Sequence, residues 1–371
     1  MKLNIFRQEE FFEEHEFSCR RMLALSGVQP LTHAELAAYV PDGPAPELEL
    51  GYTPSAGFDE LRTAVAEVYP QVGGLPGADR SNVLITVGAI EALLITTNLL
   101  IDPGDEAVCL WPSYQPLYEL VTGAGGRVRF VRLEPDEGFR IDLDQVRQAV
   151  TQKTKLVIIN SPHNPTGQFV PAVDLRALAA DLDRQGIYLM VDEVFREMWP
   201  DPEPSAWNGT PNIVVVSGLS KSYGLPGLRI GWMVADPALV VRARRYRKYT
   251  SLNPGALDQA WATAVLRQRD RVLARTNALV RDGLKTALDW LGQHEDVFTI
   301  NPPVGGGLMF PGLRLEVPTR DFCVRLVRET GVLLAPGSDC YQTEGHLRLG
   351  FATSELAEGL HQIDEFLRRL A

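Results

Sequence analysis

Seven short hydrophobic runs divide the middle of the chain, and most of them are continuous and rich in β-branched residues. Runs of this length and composition indicate strands that are buried on both faces. Strands of that kind are typical of mainly parallel sheets covered by helices. The runs are VLITVG (83–88), EAVCLW (106–111), RVRFVRL (127–133), KLVIINSP (155–162), YLMVDEV (188–194), IVVVSGLS (213–220) and RIGWMVA (229–235).

Helical patterns lie between and after these runs. The segments LDQVRQAVTQ (143–152) and DLRALAADLDRQG (174–186) have apolar residues at helical spacing, and Gly186 suits a helix C-terminus. A longer helical pattern covers 257–292. Strands that alternate with helices predict the α/β class, with a large and mainly parallel sheet.

The C-terminal third follows a different pattern, with short strand-like pieces at 307–310 and 346–351 between helical segments. We therefore expect a smaller α+β domain over residues 261–371, after a large domain over residues 46–260. Residues 1–45 precede the sheet and contain the helix-like segment EEFFEEHEF. We expect them to pack with the small domain.

Composition narrows the class of protein. The chain has 371 residues, of which 45% are hydrophobic and 22% charged, so it can form a large core and two domains. Its net charge of -11 argues against a nucleic acid partner. The four cysteines have no metal-ligand or redox spacing. With no signal-like N-terminus and no apolar stretch long enough for a bilayer, the prediction is a cytoplasmic protein without a membrane partner or metal site.

The segment SGLSKSYGLPGLRIGW (217–232) carries the strongest chemical signal. Lys221 directly follows a β-branched strand, between Ser220 and Ser222, and Arg229 comes after two glycines. A lysine desolvated at a strand end can become a nucleophile for an aldehyde, and hydroxyls, amides and an arginine suit a phosphate. Pyridoxal phosphate combines both groups. A surface turn with a solvated lysine would have the same sequence features, so this segment alone leaves both interpretations open.

Other segments favour the cofactor. Asp192 ends a buried strand, where a carboxylate can pair with a pyridinium nitrogen. Asn164 lies in the turn-rich loop SPHNPTG (161–167) and can donate a hydrogen bond. TVGAIEAL (86–93) is a strand–glycine–helix junction whose free amides form an anion site. YTPSAGFDELR (52–62) is a tyrosine before a Pro/Gly turn and an amphipathic helix.

In this order and spacing, from about Tyr52 to the C-terminus, the segments resemble the class I/II aminotransferase family of fold-type I pyridoxal-phosphate enzymes. In finer detail the chain is similar to the capreomycidine-synthase-like branch. The resemblance implies an α/β fold with a large, mainly parallel seven-stranded sheet domain. It also implies a smaller α+β domain built from both termini.

The resemblance assigns roles around the cofactor, pyridoxal 5′-phosphate. Lys221 would form a Schiff base with it and move the proton of the substrate's α-carbon. Asp192 would pair with the ring nitrogen, Asn164 would donate to the phenolic oxygen O3′, and Tyr114 would stack on the ring. Lys221, Asp192 and Tyr114 are thus the expected catalytic residues. The phosphate would be bound by Arg229, Ser220 and the backbone of Ala89 and Ile90.

Substrate and partner contacts follow from the same resemblance. Arg348, in HLRLGF, would bind the α-carboxylate of the substrate, with Asn164 and Gly27 as further substrate contacts. Tyr52 would reach the phosphate of a neighbouring subunit, which implies a homodimer. Phe195 stands where the family usually has a tyrosine that donates to O3′. We expect the loss of that donor to leave more negative charge on O3′, so that the imine proton is held more tightly.

Three functions remain open. The leading one is an aminotransferase that exchanges an amino group between an L-amino acid and a 2-oxo acid. The second is a lyase or cyclase with the same cofactor, acting by β- or γ-elimination, replacement or cyclisation. The third is a non-catalytic regulatory domain that binds the cofactor. The acidic N-terminal run is typical of a solvated helix face, but one of its carboxylates could instead face the pocket and favour a cationic substrate.

Overall fold

The computed structural model describes residues 2–71, 74 and 76–370. The helices are α1 (Arg7–His15), α2 (His33–Tyr39), α3 (Asp59–Glu67), α4 (Gly88–Leu100), α5 (Pro116–Gly123), α6 (Leu143–Ala149), α7 (Ala172–Asp183), α8 (Pro237–Arg247), α9 (Ala256–Arg267), α10 (Arg269–Gly292), α11 (Thr319–Thr330), α12 (Gly337–Tyr341) and α13 (Leu356–Leu370). The strands are β1 (Arg21–Met22), β2 (Val83–Val87), β3 (Glu106–Trp111), β4 (Arg127–Arg132), β5 (Thr154–Asn160), β6 (Tyr188–Asp192), β7 (Ile213–Gly218), β8 (Ile230–Val234), β9 (Phe298–Thr299), β10 (Leu308–Met309), β11 (Gly312–Leu313), β12 (Val332–Leu333), β13 (Ala335–Pro336) and β14 (Leu347–Gly350).

A seven-stranded sheet in the order β2-β8-β7-β6-β5-β3-β4 forms the centre of the molecule. β8 is antiparallel to both of its neighbours, β2 and β7, and the other pairs are parallel. Each of the seven strands coincides with one hydrophobic run, to within two residues at either end. The predicted α/β fold with a large, mainly parallel sheet is confirmed.

Both faces of this sheet are covered, which explains why its strands are continuously hydrophobic. Successive residues of a strand point to opposite faces. On β6, Leu189 and Val191 belong to the core on one face, and Met190 belongs to the core on the other. Side chains of α3 and α7 cover the first face, and side chains of α4, α5 and α8 cover the second.

The predicted helices are present, with one difference in continuity. α6 and α7 correspond to the two shorter patterns, and Gly186 just beyond α7 has a positive φ of 68°. The long pattern at 257–292 is divided between α9 and α10 at Gln268, whose φ of -113° and ψ of 25° are not helical. Neither glycine nor proline stands at this break, so the sequence pattern could not reveal it.

The N-terminal segment lies against elements from the C-terminal part of the chain. β1 pairs in parallel with β12, with Arg21 opposite Val332, and α1 contacts α12. A small antiparallel sheet of β10, β14 and β13 lies in the same part of the chain. The segment also reaches α5, because Asn4 Nδ2 donates to Glu119 Oε1 at 2.9 Å. The division at residues 45 and 260 stays a prediction.

Candidate active site

Three neighbouring parallel strands deliver polar residues to one edge of the large sheet. β5 leads into Asn164, β6 ends at Asp192, and β7 leads into Lys221. The carboxyl ends of parallel strands meet at the same edge, where α/β sheets usually bind ligands. A cavity of about 400 Å³ opens at this edge. We call it the central cavity.

The central cavity brings together most of the residues that were predicted to bind the cofactor. Tyr52, Arg348 and Gly27 are not among the residues that line it. The predicted residues in its walls are Lys221, Asp192, Asn164, Tyr114, Ala89, Ile90, Ser220, Arg229 and Phe195. One space can therefore receive an aldehyde, a ring and a phosphate together.

Lys221 is the nucleophile candidate in the wall of the central cavity. Its Nζ donates to Ser26 Oγ at 2.8 Å. Burial, together with the charge of Arg348, lowers the pKa of Lys221 to about 8. A larger uncharged fraction at neutral pH makes the amine more reactive toward an aldehyde.

Asp192 is a buried carboxylate with one oxygen left free for a ligand. Its side chain is 4% exposed, and Oδ1 accepts from the backbone N–H of Val194 at 3.1 Å. No donor in the described residues bonds to its other carboxylate oxygen. Burial raises the pKa of Asp192 to about 7. A protonated ring nitrogen would supply the missing cation and keep the carboxylate ionised.

The phosphate cradle lies where β2 meets α4. The first amides of α4, at Ala89 and Ile90, lack helical partners, and both residues line the central cavity. Arg229 approaches the same turn so closely that a Cβ on Gly88 would lie 2.6 Å from its guanidinium. Ser220 adds a hydroxyl to the wall. This donor set suits a phosphate dianion.

Asn164 is held at both its backbone and its side chain. Its N–H donates to Asn160 Oδ1 at 2.7 Å, and Asn160 Nδ2 donates to the carbonyl of Asp192 at 3.0 Å. Its Oδ1 accepts from the Tyr341 hydroxyl at 2.6 Å. The loop after β5 is thereby tied to the end of β6 and to α12.

Arg348 is placed directly behind the wall of the central cavity, fully buried on β14. Its Nη2 donates to the carbonyl of Ala24 at 2.6 Å. Its Nη1 lies 3.4 Å from Gln8 Oε1 and 3.5 Å from Asn164 Oδ1. A carboxylate would reach this guanidinium by taking the place of the Gln8 amide, since Gln8 itself lines the cavity.

Two predicted residues occupy other positions. Tyr52 is 91% exposed, beside a surface depression formed with the start of α9. Gly27 packs against Lys221, since a Cβ there would lie 3.0 Å from Lys221 Cα. Its expected role as a substrate contact stays a prediction, while the adjacent Ser26 does line the central cavity.

Several wall residues were missed by the sequence reasoning. Phe6, Gln8 and Glu9 come from α1 and the residue before it, and Phe6 meets the ring of Tyr114 edge-on at 5.6 Å. Of these three residues, only Glu9 belonged to a feature noted in the sequence, the acidic run of the N-terminal segment. Ser26 carried no sequence signal, because its partner lies 195 residues away along the chain.

Two further features are absent from the described part of the chain. No group of three or more His, Cys, Asp or Glu side chains is placed there to hold a metal ion. None of its helices has the length and apolar character that a membrane crossing requires.

The fold and the central cavity define a pyridoxal-phosphate enzyme of fold type I. The family model for aminotransferase class I and II matches residues 45–366, and the chain belongs to this family. The resemblance inferred from the sequence motifs is confirmed.

Three similar proteins illustrate the range of this family. The chain is 32% identical to capreomycidine synthase of Streptomyces vinaceus, over 97% of its own length and 92% of the relative. It superimposes on a pyridoxal-phosphate-dependent aminotransferase from Streptococcus suis 89-1591 with a TM-score of 0.91 and 31% identity, covering 100% and 99% of the two chains. A pyridoxal-phosphate-dependent cyclase, OrfR, matches with a TM-score of 0.89 and 30% identity, again over 100% and 99%.

Pyridoxal 5′-phosphate is the cofactor of this family, and the residues of the central cavity fit it. The free oxygen of Asp192 suits the ring nitrogen, and the amine of Lys221 suits the aldehyde. The α4 amides and Arg229 suit the phosphate. The cofactor prediction is confirmed.

Proposed function

We propose that the protein is an aminotransferase that exchanges an amino group between an L-amino acid and a 2-oxo acid. The observation that carries this proposal is the position of Lys221, with its lowered pKa, between the carboxylate of Asp192 and the phosphate cradle at Arg229. When bound, pyridoxal phosphate supplies the electron sink for the pair left on the substrate's α-carbon. Lys221 Nζ accepts the proton from that carbon and returns one in the reverse direction.

Arg348 supports an amino acid substrate. Its guanidinium presents two nitrogens toward Gln8, Asn164 and the carbonyl of Ala24. A substrate carboxylate in the place of the Gln8 amide would accept a charge-assisted hydrogen bond from Nη1, which helps to fix the direction of the bonds at the α-carbon. Tyr114 lines the cavity, where its ring meets Phe6 edge-on.

A single-turnover experiment tests the reaction. The cofactor-loaded protein is mixed with a panel of L-amino acids, without any oxo acid. An aminotransferase forms about one equivalent of 2-oxo acid per subunit and then stops until an acceptor oxo acid is added. A Lys221→Ala variant forms none. Loaded protein that leaves every amino acid unchanged would contradict the proposal and favour the regulatory-domain alternative.

A second candidate is a cyclase or lyase with the same residues. It is favoured by the likeness to capreomycidine synthase and to a cyclase over nearly the whole chain, including α1. In the same single-turnover mixture, such an enzyme would keep turning over without an oxo acid and release ammonia, water or another leaving group. Mass spectrometry of the products separates the two reactions.

Glu9 supports a substrate with a cationic side chain. Its carboxylate lies in the wall of the central cavity, and no Lys, Arg or His of the described residues forms an ion pair with it. Its negative charge adds to the rise in the pKa of Tyr114, which burial mainly causes, and partly opposes the lowering of the pKa of Lys221 by burial. A guanidinium or ammonium group on the substrate would give this carboxylate a partner.

Glu9→Gln tests this preference against Glu10→Gln, a neighbouring exposed glutamate that does not line the cavity. We expect Glu9→Gln to lower kcat/KM about tenfold for arginine-like amino acids, because the variant loses one charge-assisted hydrogen bond to the substrate. Neutral amino acids of similar length should be unaffected. Equal effects of the two variants would refute the assignment of Glu9.

We also propose a homodimer in which Tyr52 reaches the partner's central cavity. Tyr52 and Tyr249 are each more than 90% exposed. An apolar groove beside the central cavity, lined by Leu3, Phe6 and Leu94 among others, offers a surface for a second copy. Sedimentation of the loaded protein measures the oligomeric state. Mixing inactive Tyr52→Ala and Lys221→Ala subunits should restore activity, because the mixed dimer has one complete site.

A further inference from the structure

Tyr341 is a fully buried residue next to the central cavity that no predicted role includes. It ends α12, and its ring packs edge-on against Phe310 at a centroid distance of 5.4 Å. Its hydroxyl lies between two predicted site residues. It is 2.6 Å from Asn164 Oδ1 and is hydrogen bonded to Arg348 Nη1. The hydroxyl thus joins the residue expected at O3′ to the residue expected at the substrate carboxylate.

The direction of these hydrogen bonds is fixed by chemistry. A guanidinium can only donate, so the Tyr341 oxygen accepts from Arg348. Burial raises the pKa of Tyr341, so the phenol keeps its proton. That proton is then donated to Asn164 Oδ1. The amide cannot be turned around, because its N–H₂ group would then face a second donor, Arg348 Nη1, at 3.5 Å.

This orientation determines what Asn164 offers to a ligand. With Oδ1 occupied by Tyr341, the Nδ2 group is the free part of the side chain. It has no acceptor in the described residues, although Asn164 is 4% exposed and lines the central cavity. We propose that Tyr341 is a positioning residue whose hydroxyl holds the Asn164 amide with its N–H₂ group toward the cofactor oxygen O3′ and links it to Arg348.

The position of Phe195 makes this orientation more important. A phenylalanine in the cavity wall cannot donate a hydrogen bond. Asn164 is therefore the side chain expected to stabilise negative charge on O3′. Any freedom of its amide to rotate would directly change the electron distribution of the bound cofactor. The inference rests on the cofactor site and not on which reaction the protein catalyses.

The test is a pH titration of the cofactor absorbance in the loaded protein without substrate. In Tyr341→Phe we expect the apparent pKa of the chromophore to rise by about half a unit to one unit. The reason is that the hydrogen bond from Asn164 to O3′ is weakened. Asn164→Ala should raise it by at least as much. In the Asn164→Ala background, Tyr341→Phe should add no further shift, because it acts through Asn164.

Tyr118→Phe is the matched control. Tyr118 is buried, and its hydroxyl accepts from Gln342 Nε2 at 3.0 Å, away from Asn164. The apparent pKa of the chromophore in Tyr118→Phe should equal that of the unchanged protein. A folded, loaded Tyr341→Phe variant with an unshifted titration would overturn the proposal, as would an undiminished shift in the Asn164→Ala background.

An isosteric probe covers the case in which Tyr341→Phe does not fold. Incorporation of 3-fluorotyrosine at position 341 keeps the shape and makes the phenol a stronger donor. A stronger bond to Oδ1 polarises the amide and strengthens donation from Nδ2. The chromophore pKa should then move down, opposite to the phenylalanine variant. An unchanged pKa in the fluorotyrosine protein would count against the proposal.

Discussion

At the residue scale, the central cavity contains groups whose ordinary properties are changed by burial. Asp192 and Lys221 lie in it together, and burial moves both pKa values toward neutrality, to about 7 and about 8. Each group is therefore less charged than it would be in water. A ligand with a ring cation and an aldehyde would give the Asp192 carboxylate a compensating charge and the Lys221 amine a partner to react with.

Asp192→Asn should stabilise the cofactor-free protein and weaken cofactor binding. Because the folded pKa of Asp192 is raised, its contribution to stability is complete at low pH and is lost as pH rises toward and through about 7. The uncompensated charge then costs up to about 4 kcal/mol. We expect the cofactor-free variant to have a higher Tm than the parent at pH 8 and the same Tm near pH 4. Its cofactor dissociation constant should rise more than tenfold.

Asp289→Asn, a change at an exposed carboxylate on α10, provides the control for both measurements. A cofactor-free Asp192→Asn protein that is no more stable at pH 8 would show that the buried charge is compensated in solution.

Phe195→Tyr addresses the absent donor to O3′. A hydroxyl at this position would disperse the negative charge on O3′ and loosen the imine proton. We expect the chromophore pKa of the loaded protein to fall by about half a unit to one unit. The measurement is the same absorbance titration used for Tyr341. An equal or higher value in the variant would disprove the role assigned to Phe195.

At the element scale, the phosphate cradle depends on how closely β8 approaches the start of α4. Gly231 on β8 lies opposite Thr86 on β2. A Cβ on Gly231 would come within 2.3 Å of the backbone nitrogen of Ala89. Only a glycine allows this contact, and the contact places the free amides of the helix.

Gly231→Ala should therefore move the first turn of α4 and weaken phosphate binding. We expect the dissociation constant of the cofactor to rise at least about tenfold, with a loss of about 1–3 kcal/mol in the free energy of unfolding. Gly292→Ala is the control, because nothing lies within 4 Å of its Cβ position at the end of α10. Equal cofactor affinity of the two variants would argue against this account.

The sequence predicted the elements better than it predicted their contacts. Lys221, Asp192 and Asn164 could be predicted because each lies at or just after the end of a hydrophobic strand, and neighbouring parallel strands end together. The contact of Gln8 with Arg348 could not be found, since 340 residues separate the two. The break at Gln268 was invisible because it uses neither glycine nor proline.

At the scale of the whole molecule, the proposed cofactor and substrate site joins distant parts of the chain. Ser26, Asn164, Lys221 and Arg348 come from the N-terminal segment, two strand ends of the large sheet and β14. A ligand that contacts all of these parts binds the folded chain and not the unfolded one. Binding must therefore stabilise the fold.

Adding pyridoxal phosphate at about 100 times its dissociation constant should raise Tm by about 3–4 °C for a chain of this length. Calorimetry of the cofactor-free and loaded proteins measures the shift. Pyridoxine 5′-phosphate, which has no aldehyde, should give a smaller shift at the same concentration, because it binds more weakly without a bond to Lys221. Identical shifts with both compounds would mean that the lysine adds nothing to binding.

The short helix α1 contributes two adjacent side chains with different positions at the site. Gln8 is buried against Arg348, and Glu9 faces the central cavity from its rim. The residues proposed to hold the cofactor belong to other elements. Under the role proposed for Glu9, selectivity for the substrate side chain belongs to one contiguous segment of the chain that can be exchanged as a unit. A chimera that receives α1 from a relative should adopt the donor's amino acid preference while its resting cofactor spectrum stays that of the recipient.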